Sequence, residues 1–447
     1  MAATRFELLT RLSRSALGKL LLLGALVLLL QIPVGAIGRL GVEREQTRTA
    51  AAAEVAQGWG GAQQVFGPFL VVPYRALTRN DSGAQVAGDI DRAVFLPEQL
   101  HVEASIDVQN RSRGLFDLPV YVAQVTLRGR IARADVKSLQ LPPVDFPADA
   151  AQLVLRLGDV HAVDAVPSLR WNGADVAFEP GATGLGKVAG LHATLPVGAV
   201  AQGGEFIVSL TLRGSGAFSV APLGRETAVT LRSNWPHPSF QGAWLPNHHE
   251  IDGKGFSASW SIPYVARSFP AAWTQGAVSD EELQRARFGV ALNTPVDPYR
   301  MSERSLKYAE LFIGLTFLAV WLFELKSGVP THAVQYLLVG AGLCVFYLLE
   351  LALAEHLGFA AAYVIASAAV TAQVGFYTRA VLRSKRRSAA IASLIASLYA
   401  LLWVLLREED FALLTGSVGV FMALCAVMFL TRRVQWGAPS PAAEAVP

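Results

Sequence analysis

The chain has 447 residues, 52% of them hydrophobic, and a formal net charge of +3 from 38 Lys and Arg against 35 Asp and Glu. Two cysteines, Cys344 and Cys425, are too few for a disulfide scaffold or a cysteine metal framework. The small net charge excludes a chain built to neutralise a nucleic-acid backbone, and the bunching of the apolar residues points to a bilayer instead.

In chain order, a basic tail (1–16) precedes a first apolar stretch, 17–38. Residues 20–30 followed by Val34-Gly35-Ala36 resemble a cleavable signal peptide. The apolar run continues past that point with Pro33 inside it, so an uncleaved anchor is expected. A largely polar block, 39–307, follows. Residues 43–58 are rich in Ala, Glu, Gln and Arg and predict a helix that ends at Gly58 and Gly60-Gly61. From residue 67 the pattern becomes short alternating or β-branched runs between Pro, Gly, Asn and Asp, such as YVAQVTLRGRIA and EFIVSLTLRGSGAFSV. Ser168–Phe178, with Asn172-Gly173 at its centre, predicts a hairpin with a primed turn. Regular strands without helices between them predict an antiparallel β-rich domain, a sandwich or a large twisted sheet. Residues 279–287 read as a short capped helix. Five apolar stretches crowd the last third: 308–325, 333–354, 359–381, 389–406 and 411–430. Each of the six stretches approaches the roughly 20 residues needed to cross a bilayer as a helix. The tail, 431–447, ends in GAPSPAAEAVP and reads as disordered. The expected architecture is thus one transmembrane helix, a large β-rich domain and a five-helix transmembrane bundle.

Orientation follows from Lys and Arg near span ends. Arg5, Arg11, Arg14 and Lys19, then Arg379, Arg383, Lys385, Arg386 and Arg387, then Arg432 and Arg433 all fall on one side of a six-span chain. That side is expected to be the cytoplasm, with both termini there and the β-rich domain outside. Arg304 and Lys307 run against the rule but are too few to reverse it. Residues 39–307 carry 25 Lys and Arg against 26 Asp and Glu, so the outer domain has no basic face for nucleic acid.

Several groups carry candidate chemistry. Gly181–Lys187 (GATGLGK) nearly spells a phosphate-binding loop, but Val188 replaces the Ser or Thr and no helical pattern follows. A glycine-rich loop between strands is the better reading. His237, His248, His249, Glu250 and Asp252 gather metal-ligand types without a standard spacing, so polar surface residues of a loop are expected and no metal is assigned. Trp235 and Phe240 flank Pro236-His237-Pro238, a stiff segment that would serve as a binding edge or plug the end of a sandwich. Acids in the spans carry a functional prior because hydrocarbon does not solvate them. Glu310, Glu350, Glu355 and His356 share a depth near the outer face, whereas Glu324 lies at the inner rim and reads as snorkelling. Trp321, Trp403 and Trp436 read as belt aromatics. No G-x-S-x-G elbow occurs, and neither an enzyme nor a cofactor is indicated.

The segments SNWPHPSFQGAWLP (233–246), TPVDPYRMSERSLKYAELFIGLTFLAVWLFE (294–324) and HAVQYLLVGAGLCVFYLLELALAEHLGFAAAYVIAS (332–367) resemble the CreD family of bacterial inner-membrane proteins, and VFGPFLVVPY (65–74) and GSGAFSVAPLGR (214–225) fit the same pattern. The resemblance runs from the first span to about Val434. It implies a multi-pass protein of the bacterial inner membrane with a periplasmic domain, acting in cell-envelope integrity or an envelope-stress response. The family pattern has aliphatic residues where Glu310 and Glu350 stand, while its Glu-His pair matches Glu355-His356. The resemblance therefore moves the expected polar site to Glu355 and His356. The leading expectation is a non-enzymatic envelope protein whose partners are the bilayer and envelope components. The runner-up is a transport or lipid-handling protein that uses the outer polar cluster.

Overall fold

A computed structural model describes residues 16–79, 85–134, 139, 144–145, 151–181, 189–196, 198–293, 298–327, 331–382, 384–407 and 412–432. The chain divides into a helical unit, Met1–Thr47 with Val296–Pro447, and a β unit, Arg48–Pro295.

The first element is α1 (Ala16–Trp59), 44 residues long. The first apolar stretch and the predicted helix 43–58 are one continuous helix. Within the helical unit Leu23, Leu26, Leu30, Val34 and Ile37 are buried, a three-and-four spacing that makes one stripe. Leu17, Leu21, Leu28 and Ile32 on other faces stay exposed and suit lipid contact. The stripe crosses Val34-Gly35-Ala36 without a break. The remaining helices of this unit are α4 (Pro298–Lys307), α5 (Ala309–Ser327), α6 (Ala333–Leu357), α7 (Phe359–Leu382), α8 (Lys385–Arg407) and α9 (Ala412–Thr431); α2 and α3 belong to the β unit. Among the described residues four helices (α1, α6, α7 and α8) are long and apolar enough to cross a membrane. The α4–α5 pair, bent by 46°, makes a fifth, and Leu414–Phe429 is a shorter apolar helix. At Gly340 of α6 a Cβ would run into Leu30 of α1 and Phe317 of α5, so glycine there lets three helices close together.

One expectation is corrected here. The second span was placed from residue 308 with polar chain before it. The helix in fact starts at Pro298 and bends near Tyr308. Its first ten residues bury Tyr299, Ser302 and Ser305, a face of hydroxyls that a search for apolar periodicity passes over.

The β unit holds β1 (Gln63–Arg79), β2 (Gln85–Phe95), β3 (Gln99–Arg113), β4 (Phe116–Ile131), β5 (Val144–Asp145), β6 (Gln152–Leu157), β7 (Ser168–Trp171), β8 (Ala174–Val176), β9 (Glu179–Pro180), β10 (Gly190–Thr194), the single turn α2 (Ala199–Gln202), β11 (Gly204–Ser215), β12 (Ala217–Val220), β13 (Glu226–Ser233), β14 (Pro238–Gly242), β15 (His248–Asp252), β16 (Gly255–Pro263), β17 (Ala272–Thr274), α3 (Asp280–Arg285) and β18 (Phe288–Leu292). One sheet runs β14-β18-β12-β1-β6-β10-β9, with β2 and β5 also paired to β1 and β17 paired to β2. The other runs β15-β16-β13-β3-β4-β11-β7-β8. The two sheets contribute to a single hydrophobic core.

The antiparallel expectation is corrected in two places. β1 pairs parallel with β12, and β3 pairs parallel with β13 over Gln99–Ile106 against Glu226–Ser233. Both join strands far apart in the chain, whose register leaves no local trace in sequence. The unit is therefore a mixed-sheet fold. The local predictions fare better. Asn172 and Gly173, both at positive φ, form the turn of the β7–β8 hairpin. The capping box between Ser279 and Glu282 starts α3.

Tyr121 of β4 ties one sheet to the other. Its ring is fully buried, its hydroxyl donates to the Ala217 carbonyl at 2.7 Å, and it accepts from the Gln63 amide at 3.3 Å. Burial pushes the phenol well above its ordinary range, so it is a donor at neutral pH. A Cβ on Gly214 would strike this ring, which explains glycine inside β11. Tyr121→Phe is expected to lower unfolding stability by about 1–2 kcal/mol, because the Gln63 amide and Ala217 carbonyl lose a buried partner. Denaturant titration of the purified full chain checks this, and Gly214→Ala should cost more than Tyr121→Phe.

Candidate functional site

In the helical unit the candidate site forms where α4 lies against α6. The buried residues of α4 recur every third position, Tyr299, Ser302 and Ser305, so one face of the helix presents hydroxyls. Opposite them α6 supplies Glu350, which has no solvent exposure. Ser305 Oγ donates to Glu350 Oε2 at 2.8 Å. Glu350 Oε1 is buried without a hydrogen-bond partner among the described residues, as are Ser302 Oγ and the Tyr399 hydroxyl. Tyr347, Tyr363 and Tyr399 all lie within electrostatic reach of the Glu350 carboxyl.

An aromatic cluster encloses this acid. Phe346 contacts Tyr347, Tyr363 and Tyr399 with ring centroids 4.9, 5.4 and 4.4 Å away. Tyr363 donates to the Tyr399 carbonyl at 2.6 Å. Trp403 packs on Tyr363 and stacks on Phe359, so it belongs to this cluster rather than to a simple belt. Trp321 is likewise buried, and Trp436 lies outside the described residues.

Glu355 sits a little over one turn beyond Glu350. Its Oε1 accepts from the Tyr299 hydroxyl at 3.0 Å and meets Arg44 Nε of α1 at 3.6 Å. Three segments of the helical unit therefore converge on this pair of carboxyls. His356 and Glu310 are exposed and do not join them. Ser305 holds one oxygen of the Glu350 carboxyl and Ser302 faces it from the same side of α4, an arrangement that suits a carboxyl able to take up a proton or a small cation.

A second polar cluster was missed by sequence reasoning. Glu324, expected to snorkel, is 13% exposed and fully engaged. Lys19 Nζ donates to its Oε1 at 2.8 Å, and the Tyr336 hydroxyl donates to its Oε2 at 2.7 Å. Lys19 also donates to the Thr331 carbonyl at 2.8 Å. In sequence Lys19 looks like one more charge of the basic N-terminal cluster. The available signal was the opposite sign of two charges at the same depth of two spans.

In the β unit the histidine-rich segment is corrected from a loop to a strand. His248–Asp252 form β15, an edge strand with all five residues exposed. Among the described residues no group of three His, Cys, Asp or Glu is placed to hold a metal ion. His237 is exposed. Trp235 donates through Nε1 to the carbonyls of His237 and Asn293 at 3.1 and 3.2 Å. Phe240 packs on His249, Phe256 and Trp260, with centroids 5.5–5.9 Å apart. Both aromatics lean on the core, as the plug reading of this segment expects. Of the glycine-rich segment 181–187, residues 182–187 lie outside the described residues, and the element after it is strand β10.

The family profile described as Inner membrane protein CreD matches residues 15–437. The chain belongs to the CreD family. It is 35% identical over 414 residues to the Inner membrane protein CreD of Escherichia coli (strain K12), which covers 92% of this chain and 91% of that relative. The CreD match spans both the helical and the β unit, so it applies to the chain as a whole.

Lys19→Met should destabilise this CreD-family chain by on the order of 3 kcal/mol, because it strands the Glu324 carboxylate in a low-dielectric site. Lys19→Met combined with Glu324→Leu should recover most of that loss. Thermal unfolding of the purified chain in detergent, run as a double-mutant cycle, checks both outcomes.

Proposed function

We propose that this chain supports cell-envelope integrity from the inner membrane, with its β unit on the periplasmic side as the part that meets envelope components. The β unit is closed around its own core, and in sequence it is inserted between two parts of one helical unit. This observation carries the reading, because it describes a folded module carried by a membrane-embedded one. The Lys and Arg clusters on the opposite side of the spans support the orientation. On this reading the chain catalyses no reaction, contacts the bilayer and envelope components, and does not bind nucleic acid.

A second reading, transport or lipid handling, is favoured by the buried Glu350 carboxyl and its unpartnered oxygen. The two readings separate in one experiment. Deletion of the gene should raise detergent sensitivity and dye leakage, and the full chain should reverse both. If the β unit carries the function, full-length Glu350→Gln at the wild-type level rescues equally well. If rescue fails with Glu350→Gln, the activity lies in the helical unit.

Orientation has its own test. Cys344 and Cys425 are the only cysteines in the sequence and can be replaced by serine. Val166, 95% exposed in the β unit, then accepts a reporter thiol. Val166→Cys should react with a membrane-impermeant maleimide in intact spheroplasts as fully as in lysed ones. Labelling only after lysis would place the β unit in the cytoplasm and remove the envelope reading.

A further inference from the structure

The β unit contains a cavity of about 280 Å³ with a buried cation on its wall. The cation is Arg156, the one charged residue in β6 (QLVLRL) and only 5% exposed. Phe69, Trp273, Val278 and Leu283 supply the apolar walls. Arg156 Nη1 donates to Asp280 Oδ1 at 2.8 Å, and the guanidinium lies 5.8 Å from the Phe66 ring centre. Asp280, at the start of α3, also borders the cavity, and its side chain is 61% exposed.

This pairing leaves the cation half used. A guanidinium offers five N–H groups, and its Nε–Nη2 edge is the one that grips a carboxylate side-on with two parallel hydrogen bonds. Asp280 takes the other side, through Nη1 alone. Arg156 Nε is buried and has no acceptor among the described residues. A buried donor without a partner is costly, and an anion at that edge removes the cost. The cavity is lined by four apolar side chains, with Gln275 and Ser279 as further polar groups, and this lining suits a ligand of mixed character. A bare inorganic anion would leave those walls unfilled, whereas a carboxylate with a compact apolar body fills them.

We propose that this cavity binds a small organic carboxylate, seating the carboxylate on Arg156 and the apolar body against Phe69, Trp273, Val278 and Leu283. Asp280 occupies one side of the cation and opposes the entry of a second negative charge. The site stands whether or not the chain supports envelope integrity, because binding is read on purified protein.

The test uses the full chain in nanodiscs, with empty nanodiscs as the partition control, and equilibrium dialysis of labelled benzoate. Benzamide serves as the neutral isostere and inorganic phosphate as the bare anion. Benzoate should bind at one site per chain, at least about tenfold tighter than benzamide or phosphate, as a charge-assisted bidentate contact on a buried guanidinium requires. Asp280→Asn, at an exposed position that leaves Arg156 in place, should tighten benzoate by about tenfold through loss of a neighbouring negative charge. Arg156→Gln should abolish the preference for benzoate over benzamide. Equal binding of benzoate and benzamide overturns the proposal. So does Asp280→Asn binding benzoate no better than the wild type, which would reduce the Arg156–Asp280 pair to a strap holding α3 on the sheet. If Arg156→Gln does not fold, these two comparisons still decide.

Discussion

Lys19 and Glu324 meet across 305 residues of chain, and the architecture depends on that meeting. Once the helices have closed, neither charge is tolerable without the other, and together with Tyr336 they satisfy both carboxylate oxygens. The pair fixes α1 as part of the helical unit rather than as a detached anchor. The stripe from Leu23 to Ile37 then packs along the same side, and Gly340 gives it room. Because α1 and the helices from α4 to α9 belong to one unit, the chain from Arg48 to Pro295 becomes an insertion with its own core.

Much of this was legible in the sequence wherever the deciding force is local. The spans expected at 333–354 and 359–381 became Ala333–Leu357 and Phe359–Leu382, because an unbroken apolar run has one favourable conformation in a bilayer. Asn172-Gly173 marked its hairpin because two successive positive φ values suit few other residues. Ser279 and Glu282 marked α3 through a cap closed within four residues. The parallel pairs β1–β12 and β3–β13 were not legible, since a strand carries no record of which distant strand it lies beside. Helix α4 escaped notice because its buried face is made of hydroxyls.

The candidate site was legible in part for the same reason. Acids within apolar runs stand out, so Glu350 and Glu355 were found from sequence alone. Their partners were not, because Ser302, Ser305, Tyr299 and Arg44 are ordinary residues until α4 and α1 bring them close. Glu310 and His356 share the depth of these acids. Depth says nothing about rotation around a helix, and both side chains face outward. Arg156 was invisible for the opposite reason. A lone arginine in a strand reads as a solvent-facing residue, and only the distant segment that carries Trp273, Val278, Asp280 and Leu283 covers it.

The distance between Lys19 and Glu324 also has a consequence in time. A ribosome adds about 5–20 residues per second, so roughly 15–60 s separate the synthesis of the lysine from that of its partner. During that interval the whole β unit is made while α1 waits by itself. The newborn helix must therefore be content as a solitary span, with its lysine reaching lipid headgroups. The exposed face of Leu17, Leu21, Leu28 and Ile32 is suited to that wait. Biogenesis of this chain thus has a long pause built into it, between threading the first helix and closing the bundle around it.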